Sequence, residues 1–406
     1  MADLPRLTPA TDPTRRSRLG SPHTFVVHAD LHNHTLLSDG RGDPATAFAK
    51  MRAAGLDVAA LTDHASIPFS ALPTLDAHLY PDDDALAAAY NPPRSFDAAG
   101  WAATAAFADA HDVPGEFTAI RGFEWTEPWA GHVNVWFSSS WLPVTTPGDV
   151  SGLHAWLAAS EPGALFGYNH PGREPGRLGG FARPEGAVGV DLTRRMVAME
   201  AFNRSIDFLF VGTAAGRPSP FAAILDAGWR PGVIGSSDEH GRDYGLVGKG
   251  RTGVWVSEHT RDGVAAALRA RATFATREVG LRLDATLDGA RMGSALPGPI
   301  GGRHRLRLDV AGGGLDGRDL LAQVLVGAPG AGAGVDVVAQ VELPGAARAA
   351  GPIEADVDLP EAAWALLRVA DPSLPNDTPG PAGHPANVRG VAYASPWWGL
   401  TPDRPR

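Results

Sequence analysis

The chain has 406 residues, 44% of them hydrophobic and 20% charged, with a formal net charge of −10 at pH 7. That is long enough for two domains and too acidic for a sequence-tolerant nucleic-acid binder, which needs a basic stripe. Cysteine is absent, which excludes disulfide frameworks and thiolate metal sites. Imidazole and carboxylate remain as ligands, a set that suits manganese, iron or zinc.

Residues 1–23 lack an apolar h-region and read as a disordered lead-in to a cytoplasmic protein. No apolar run approaches the ~18 residues of a spanning helix, so no membrane partner is expected. From Thr24 to residue 277 short β-rich runs alternate with helical stretches. Strands are expected over 24–31, 57–63, 117–125, 132–137, 164–169, 196–202 and 232–237. The first helix is well punctuated: Asp43 caps it, Pro44 takes the first helical position and Gly55 closes it. Strands alternating with helices predict parallel pairing in a barrel or a doubly wound sheet. Residues 66–94 break the rhythm with prolines and an Asp-Asp-Asp run, which makes them a candidate lid. Beyond residue 278 the runs are strand-like and separated by Gly/Pro turns, with a hairpin signal at Asp288-Gly289. This predicts a small all-β, sandwich-like domain over 278–406.

The polar residues fall where strands of the first region end. The first strand delivers His32 and His34, with Asp39 beyond, and the second delivers Asp63 and His64. Glu124, His132, His170, Asp238 and His240 follow on later runs. Barrel sites are built at strand carboxyl ends, and period-two alternation puts His32 with His34 and Asp238 with His240 on one side. Singly, His64 or His170 is as well read as a satisfied structural histidine, and Asp39 as a turn residue before Gly40. Jointly, core packing gives no reason for every such residue to end a strand, so the set reads as a metal centre. Asp30 and Asp63 read as carboxylates that orient neighbouring imidazoles. Asp63 and His240 are also the candidates for protonating a leaving group. Arg173, Arg204 and Arg242 each follow a strand-end motif and would clamp an anion. Trp125, Trp129 and Trp136 cluster around Glu124 and His132, which keeps open an apolar substrate such as an aryl ester or carbamate.

The ordered motifs DLHNHTLLSDG, LTDHA, GFEW, GHVNVW, NHP and SSDEH resemble the polymerase and histidinol phosphatase (PHP) superfamily of metal-dependent hydrolases. The flavour is that of its carbaryl-hydrolase-like branch. The resemblance implies a distorted (β/α)7 TIM-like barrel over residues 24–277 and a site for two or three divalent ions, manganese, zinc or iron. Carried over by motif, one ion would take His32, His34, Glu124 and Asp238, and a second would share Glu124 with His132 and His170. A third would take Asp39, His64 and His240. Some members carry a histidine where this chain has Gly40, and small residues are frequent where it has Glu239. The family's commonest reaction is hydrolysis of a phosphate ester by a metal-bridging hydroxide, here on a small-molecule substrate. Hydrolysis of an aryl ester or carbamate on the same ions is the alternative. A metal-bound scaffold whose β-domain binds a glycan or protein is an alternative of another class. The amidohydrolase superfamily also opens with HxH, but its binuclear members often bridge their ions with a modified lysine. Lys50 and Lys249 both fall at the wrong place for that role.

Overall fold

The structure is a computed structural model that describes residues 8–20, 23–66, 97–127, 131–143, 150–173, 182–328 and 334–399. The candidate lid from residue 67 onward and Trp129 lie outside the described residues. The first strands are β1 (Phe25–Asp30), β2 (Val58–Leu61), β3 (His64–Ser66), β4 (Thr118–Glu127), β5 (Gly131–Trp136), β6 (Leu165–Tyr168) and β7 (Met196–Asn203). After β8 (Ile206–Asp207) come β9 (Gly232–Ser236), β10 (Arg251–Val256) and β11 (Thr273–Thr276). Helices α1 (Pro44–Ala53), α2 (Ala98–His111), α3 (Ser151–Ser160), α4 (Gly186–Arg195), α5 (Pro220–Asp226) and α6 (Arg261–Arg269) lie between them.

Local chemistry explains α1. The Asp43 side chain accepts from the Ala45 amide at 3.0 Å, and Gly55 takes the left-handed φ of +87° just past the helix end. The strands β1, β2, β4, β5, β6, β7 and β9 neighbour one another in that order. A further bridge, Asn33 to Glu239, joins the extension of β9 back to that of β1. Parallel pairing holds for β1–β2, β2–β4, β6–β7 and β7–β9. It fails at β5, which is antiparallel to both β4 and β6. Only residues 128–130 separate β4 from β5, and a parallel return needs a dozen or more. Every strand of this ring is apolar and buried on nearly all positions, as expected for strands covered on both faces.

Beyond it the chain forms β12 (Arg282–Leu287), β13 (Ala290–Arg291), β14 (Ile300–Ala311), β15 (Leu320–Gly327), β16 (Val335–Leu343) and β17 (Ile353–Ala362). The last strands are β18 (Trp364–Pro375), β19 (Val388–Ala394) and β20 (Trp397–Trp398). The β12–β13 hairpin turns through Asp288 and Gly289 with φ of +51° and +81°, the pair of positive values that a primed turn demands. β13, β12, β14 and β17 make one sheet, while β16, β15, β18 and β19 continue the large sheet by pairing β19 with β11. Leu283 and Leu308 of the first sheet share a core cluster with Val324 and Leu367 of the second.

The lead-in departs from the disorder expected of it. Within residues 8–20, Arg15 pairs with Asp57, and Arg18 donates from Nη2 and Nε to Asp309 Oδ1 at 2.7 and 2.9 Å. Asp309 is fully buried and also accepts from Arg282, so the N-terminal segment is held by a carboxylate on β14 that composition could not reveal. Among the described residues no helix is long and apolar enough to cross a membrane.

Candidate metal centre

β1 ends at Asp30, and the extended residues after it turn His32 and His34 to the same side, 3.0 Å apart between their Nε2 atoms. Asp30 accepts from the Ser237 amide at 3.1 Å, and the His32 carbonyl accepts from the Asp238 amide at 3.1 Å. These bonds seat the loop after β9 beside the loop after β1. Asp238 Oδ1 thereby lies 3.4 Å from His34 Nε2 and 3.6 Å from His32 Nε2. β4 brings in Glu124, whose Oε1 is 3.2 Å from His32 Nε2, 3.2 Å from His132 Nδ1 and 3.6 Å from His170 Nε2. Its Oε2 lies 2.7 Å from His64 Nδ1 and 3.7 Å from His34 Nε2. On the far side Asp39 Oδ1 is 3.2 Å from His64 Nε2 and 3.4 Å from His240 Nε2. All nine residues singled out from the sequence are thus brought to one end of the strands. His132 reaches it because β5 runs backwards, so that its first residues sit at the carboxyl ends of its neighbours.

Three groups in this cluster have ligand atoms within 4.8 Å of one another: His34, Asp39, His64 and His240; His32, His34 and Asp238; and His32, Glu124 and His170. The chemistry of the donors asks for a cation. His32 Nδ1 lies 2.9 Å from Glu200 Oε1 and must donate to that carboxylate. Its Nε2 then faces the acceptors of Glu124, Asp238 and His34, an arrangement that repels unless a proton or metal ion sits among them. Burial opposes a charged His32, yet the carboxylates of Glu200, Asp238 and Glu124 hold its pKa well above the usual imidazole range. Burial also opposes charge on Glu124, but His132, His32 and His64 hold its carboxyl well below the usual range. His64 is pushed up to about 10 against its burial by Asp39 and Glu124, whereas burial and the cations of His240 and His64 push His34 down to about 3. Such opposed shifts follow from burying facing charges in one cluster, where His170, Arg204 and Asp238 also take φ of +25°, +53° and +48°.

The remaining candidates separate. Arg173 Nη1 donates to Asp238 Oδ2 at 3.1 Å, and Arg204 Nε lies 3.3 Å from the same oxygen. Arg242 does not join them, because its Nε donates to the Arg41 carbonyl at 3.0 Å on the outer edge of the loop. Asp63 is 1% exposed and spends both oxygens on the loop that carries His34. It accepts from the Thr35 amide, the Ser38 hydroxyl and the Thr35 hydroxyl at 2.6, 2.7 and 2.8 Å. Trp125 and Trp136 are both buried in the core, and Trp136 Nε1 donates to the Leu31 carbonyl. Lys249 pairs with Glu239, whose carbonyl accepts from the His34 amide at 2.9 Å.

Two residues of the site escaped the sequence reading. Asn169 Nδ2 donates to Glu124 Oε1 at 2.7 Å. Glu200, fully buried on β7, holds His32 Nδ1 and accepts from the His170 amide at 2.7 Å and Asn203 Nδ2 at 2.9 Å. The signal for Glu200 was an acid within the otherwise apolar run MVAMEAF, which β7 buries completely. A carboxylate behind a ligand histidine fixes its tautomer and raises its basicity. Glu200→Ala is therefore expected to weaken divalent-metal binding about 10–100-fold, read by competition with a chromophoric chelator. Unchanged affinity would remove Glu200 from that role.

A family model for a protein of unknown function, DUF3604, matches residues 44–145, a stretch that contains His64, Glu124 and His132. No curated protein matches the chain. Among solved structures, one similar chain is a two-domain protein from Bacteroides vulgatus containing a predicted PHP-like metal-dependent phosphoesterase. It is 16% identical, with 92% of this chain and 95% of that one covered at a TM-score of 0.43. A protein from Bifidobacterium adolescentis described as a metal-dependent phosphoesterase is 13% identical, covering 53% of this chain and 88% of its own at 0.30. An amidohydrolase from Chromobacterium violaceum, solved with sulfate and no metal, is 15% identical, covering 54% and 90% at 0.29.

Proposed function

We propose that the chain is a metal-dependent hydrolase of the PHP type, a phosphoesterase acting on a small-molecule phosphate ester. The observation that carries this reading is the convergence of His32, His34, His64, His132, His170 and His240 on Glu124, Asp238 and Asp39, with Arg173 and Arg204 alongside. On this reading the strand ring is the family's distorted seven-stranded barrel, and the later strands form a small sandwich-like unit behind it.

The donor set fits two or three divalent ions. His32, His34, Glu124 and Asp238 would hold one, Glu124 with His132 and His170 a second, and Asp39, His64 and His240 a third, with His34 beside it. Ions so held lower the pKa of water into the neutral range and polarise a phosphoryl oxygen. The chain's own residues supply the rest. Glu200 and Asn169 keep His32 and Glu124 in place. Arg173 and Arg204, with side chains 44% and 39% exposed, offer their outer N–H groups to the ester's free oxygens and set its orientation. Of the two candidates for protonating the leaving group, Asp63 is committed to the Thr35–Ser38 loop, and His240, 23% exposed, would serve only where the third ion, of which it is a ligand, is not bound. Trp125 and Trp136 are buried in the core, so of the three tryptophans only Trp129, outside the described residues, is left to favour an aryl ester or carbamate.

The test is metal content by mass spectrometry on protein purified without chelator, together with turnover by the manganese-loaded protein. Substrates are p-nitrophenyl phosphate, bis-p-nitrophenyl phosphate and 1-naphthyl methylcarbamate. At least one phosphate ester should turn over, and Arg204→Ala should raise KM for it about tenfold, or about 1.4 kcal/mol. Hydrolysis of the carbamate alone would overturn the phosphoesterase reading. Absence of bound metal together with absence of turnover would favour a scaffold.

A further inference from the structure

The strands β7 and β9 run parallel to β1, so their first residues lie at the end opposite the histidine cluster. There a cleft of about 1020 Å³ opens between the residues that precede β7, β9 and β11 and the strands of the C-terminal region. Five arginines line it: Arg183, Arg194 at the end of α4, Arg230, Arg269 at the end of α6, and Arg271. Among the described residues that line it stands one acid, Asp226, whose carboxylate already accepts from Trp364 Nε1 at 2.8 Å.

These arginines differ in what they do. Arg271 is a wall, donating to the carbonyls of Arg230 and Thr193 at 2.9 and 2.8 Å. Burial, with Arg230 beside it, pushes its pKa down to about 10. Arg269 donates to the Gly163 carbonyl. Arg183 and Arg194 are exposed, and their side chains form no ion pair or hydrogen bond among the described residues. Gathering several arginines around one concavity, with a single acid among its described lining residues, raises a positive potential that an anion would relieve. Trp398 lines the cleft at 5% exposure.

We propose that this cleft is a second ligand site, distinct from the metal centre, and that it takes a small organic polyphosphate. The phosphates pair with Arg183 and Arg194 in bidentate fashion. The body of the ligand lies on the wall of Leu225, Ala363 and Trp398, with Asp226 as acceptor for a hydroxyl or amine. The volume is that of a small-molecule pocket rather than a nucleic-acid groove. The chain's net charge of −10 argues the same, since a nucleic-acid groove needs an extended basic surface.

The probe is β,γ-methylene-ATP, with pyrophosphate as a ligand that has charge and no body, titrated calorimetrically into the full chain. The analogue should bind this cleft with a Kd of about 10–100 µM, and pyrophosphate at least tenfold more weakly. The double substitution Arg183→Ala with Arg194→Ala should weaken that binding at least tenfold. Arg173→Ala with Arg204→Ala, at the other end of the strands, should remove any second binding event at the metal centre and leave the Arg183/Arg194-dependent one unchanged. Wild-type affinity in the Arg183/Arg194 variant, loss of binding in the Arg173/Arg204 variant, or no binding by the wild type would each overturn the proposal. The two sites are told apart by which pair of arginines each binding event needs, so failure of this proposal is distinguishable from failure of the phosphoesterase reading.

Discussion

Glu124→Gln is expected to strip most of the divalent metal from the protein and to lower kcat/KM on a phosphate ester about 10³-fold, or about 4 kcal/mol. No other side chain in the cluster touches so many partners. Its two oxygens lie within 3.7 Å of His32, His34, His64, His132 and His170. It is 1% exposed, so no water can replace it. Glutamine keeps the shape but removes the charge, and one of its two acceptor positions becomes an NH2 that must face imidazole nitrogens or the Asn169 amide at 2.7 Å. Metal content by mass spectrometry and steady-state kinetics on the same preparation read both effects, with far-ultraviolet circular dichroism to check the fold. Full metal content with unchanged turnover would refute the bridging role proposed for Glu124.

The second large effect is on stability. Arg368 is fully buried on β18. Its guanidinium donates to Gln323 Oε1 at 2.7 Å, Tyr393 Oη at 2.8 Å and the Val388 carbonyl at 2.5 Å, and lies 3.5 Å from Asp207 Oδ2. Tyr393 in turn donates to the Asp207 carboxylate at 2.9 Å. This cluster ties β15, β18 and β19 to β8, directly after β7. Arg368→Met leaves the Asp207 carboxylate buried without its cation and should cost about 3–5 kcal/mol of unfolding free energy. Adding Asp207→Leu should return much of the loss, because the penalty lies in the orphaned charge more than in the missing bond. Denaturant titration of the four proteins of the cycle measures this. Additive losses would show that the two side chains act independently.

Local signals carried far along this chain. Asp43, Pro44 and Gly55 bound a helix that the structure places at Pro44–Ala53, and the Asp288-Gly289 pair makes its hairpin. Capping and turn chemistry act over a few residues, so they can be read from them. The nine candidate residues were visible for a related reason: most sit at or just past the end of a short apolar run, His132 opens one and Asp39 lies in the loop beyond another, and the ends of neighbouring strands lie together once the sheet forms.

What failed to show depended on partners far away in the chain. The disorder expected of the lead-in overlooked Arg18, because Asp309, the carboxylate that holds it, lies 291 residues on. Glu200 looked like a stray acid in a strand because His32, which gives it a role, is 168 residues earlier. Arg173, Arg204 and Arg242 were equivalent by motif, and only the placement of Asp238 separates the first two from the third.

The sequence by itself therefore determined the kinds of ligand this protein can offer and the strands that carry them, since composition and periodicity are properties of the chain alone. Tertiary structure decided which imidazoles share a carboxylate, which way β5 runs, which acids stand behind the histidines and where five arginines gather. Those are consequences of distance in space, and the free energy of bringing two charges together depends on their separation and burial, neither of which a linear order specifies.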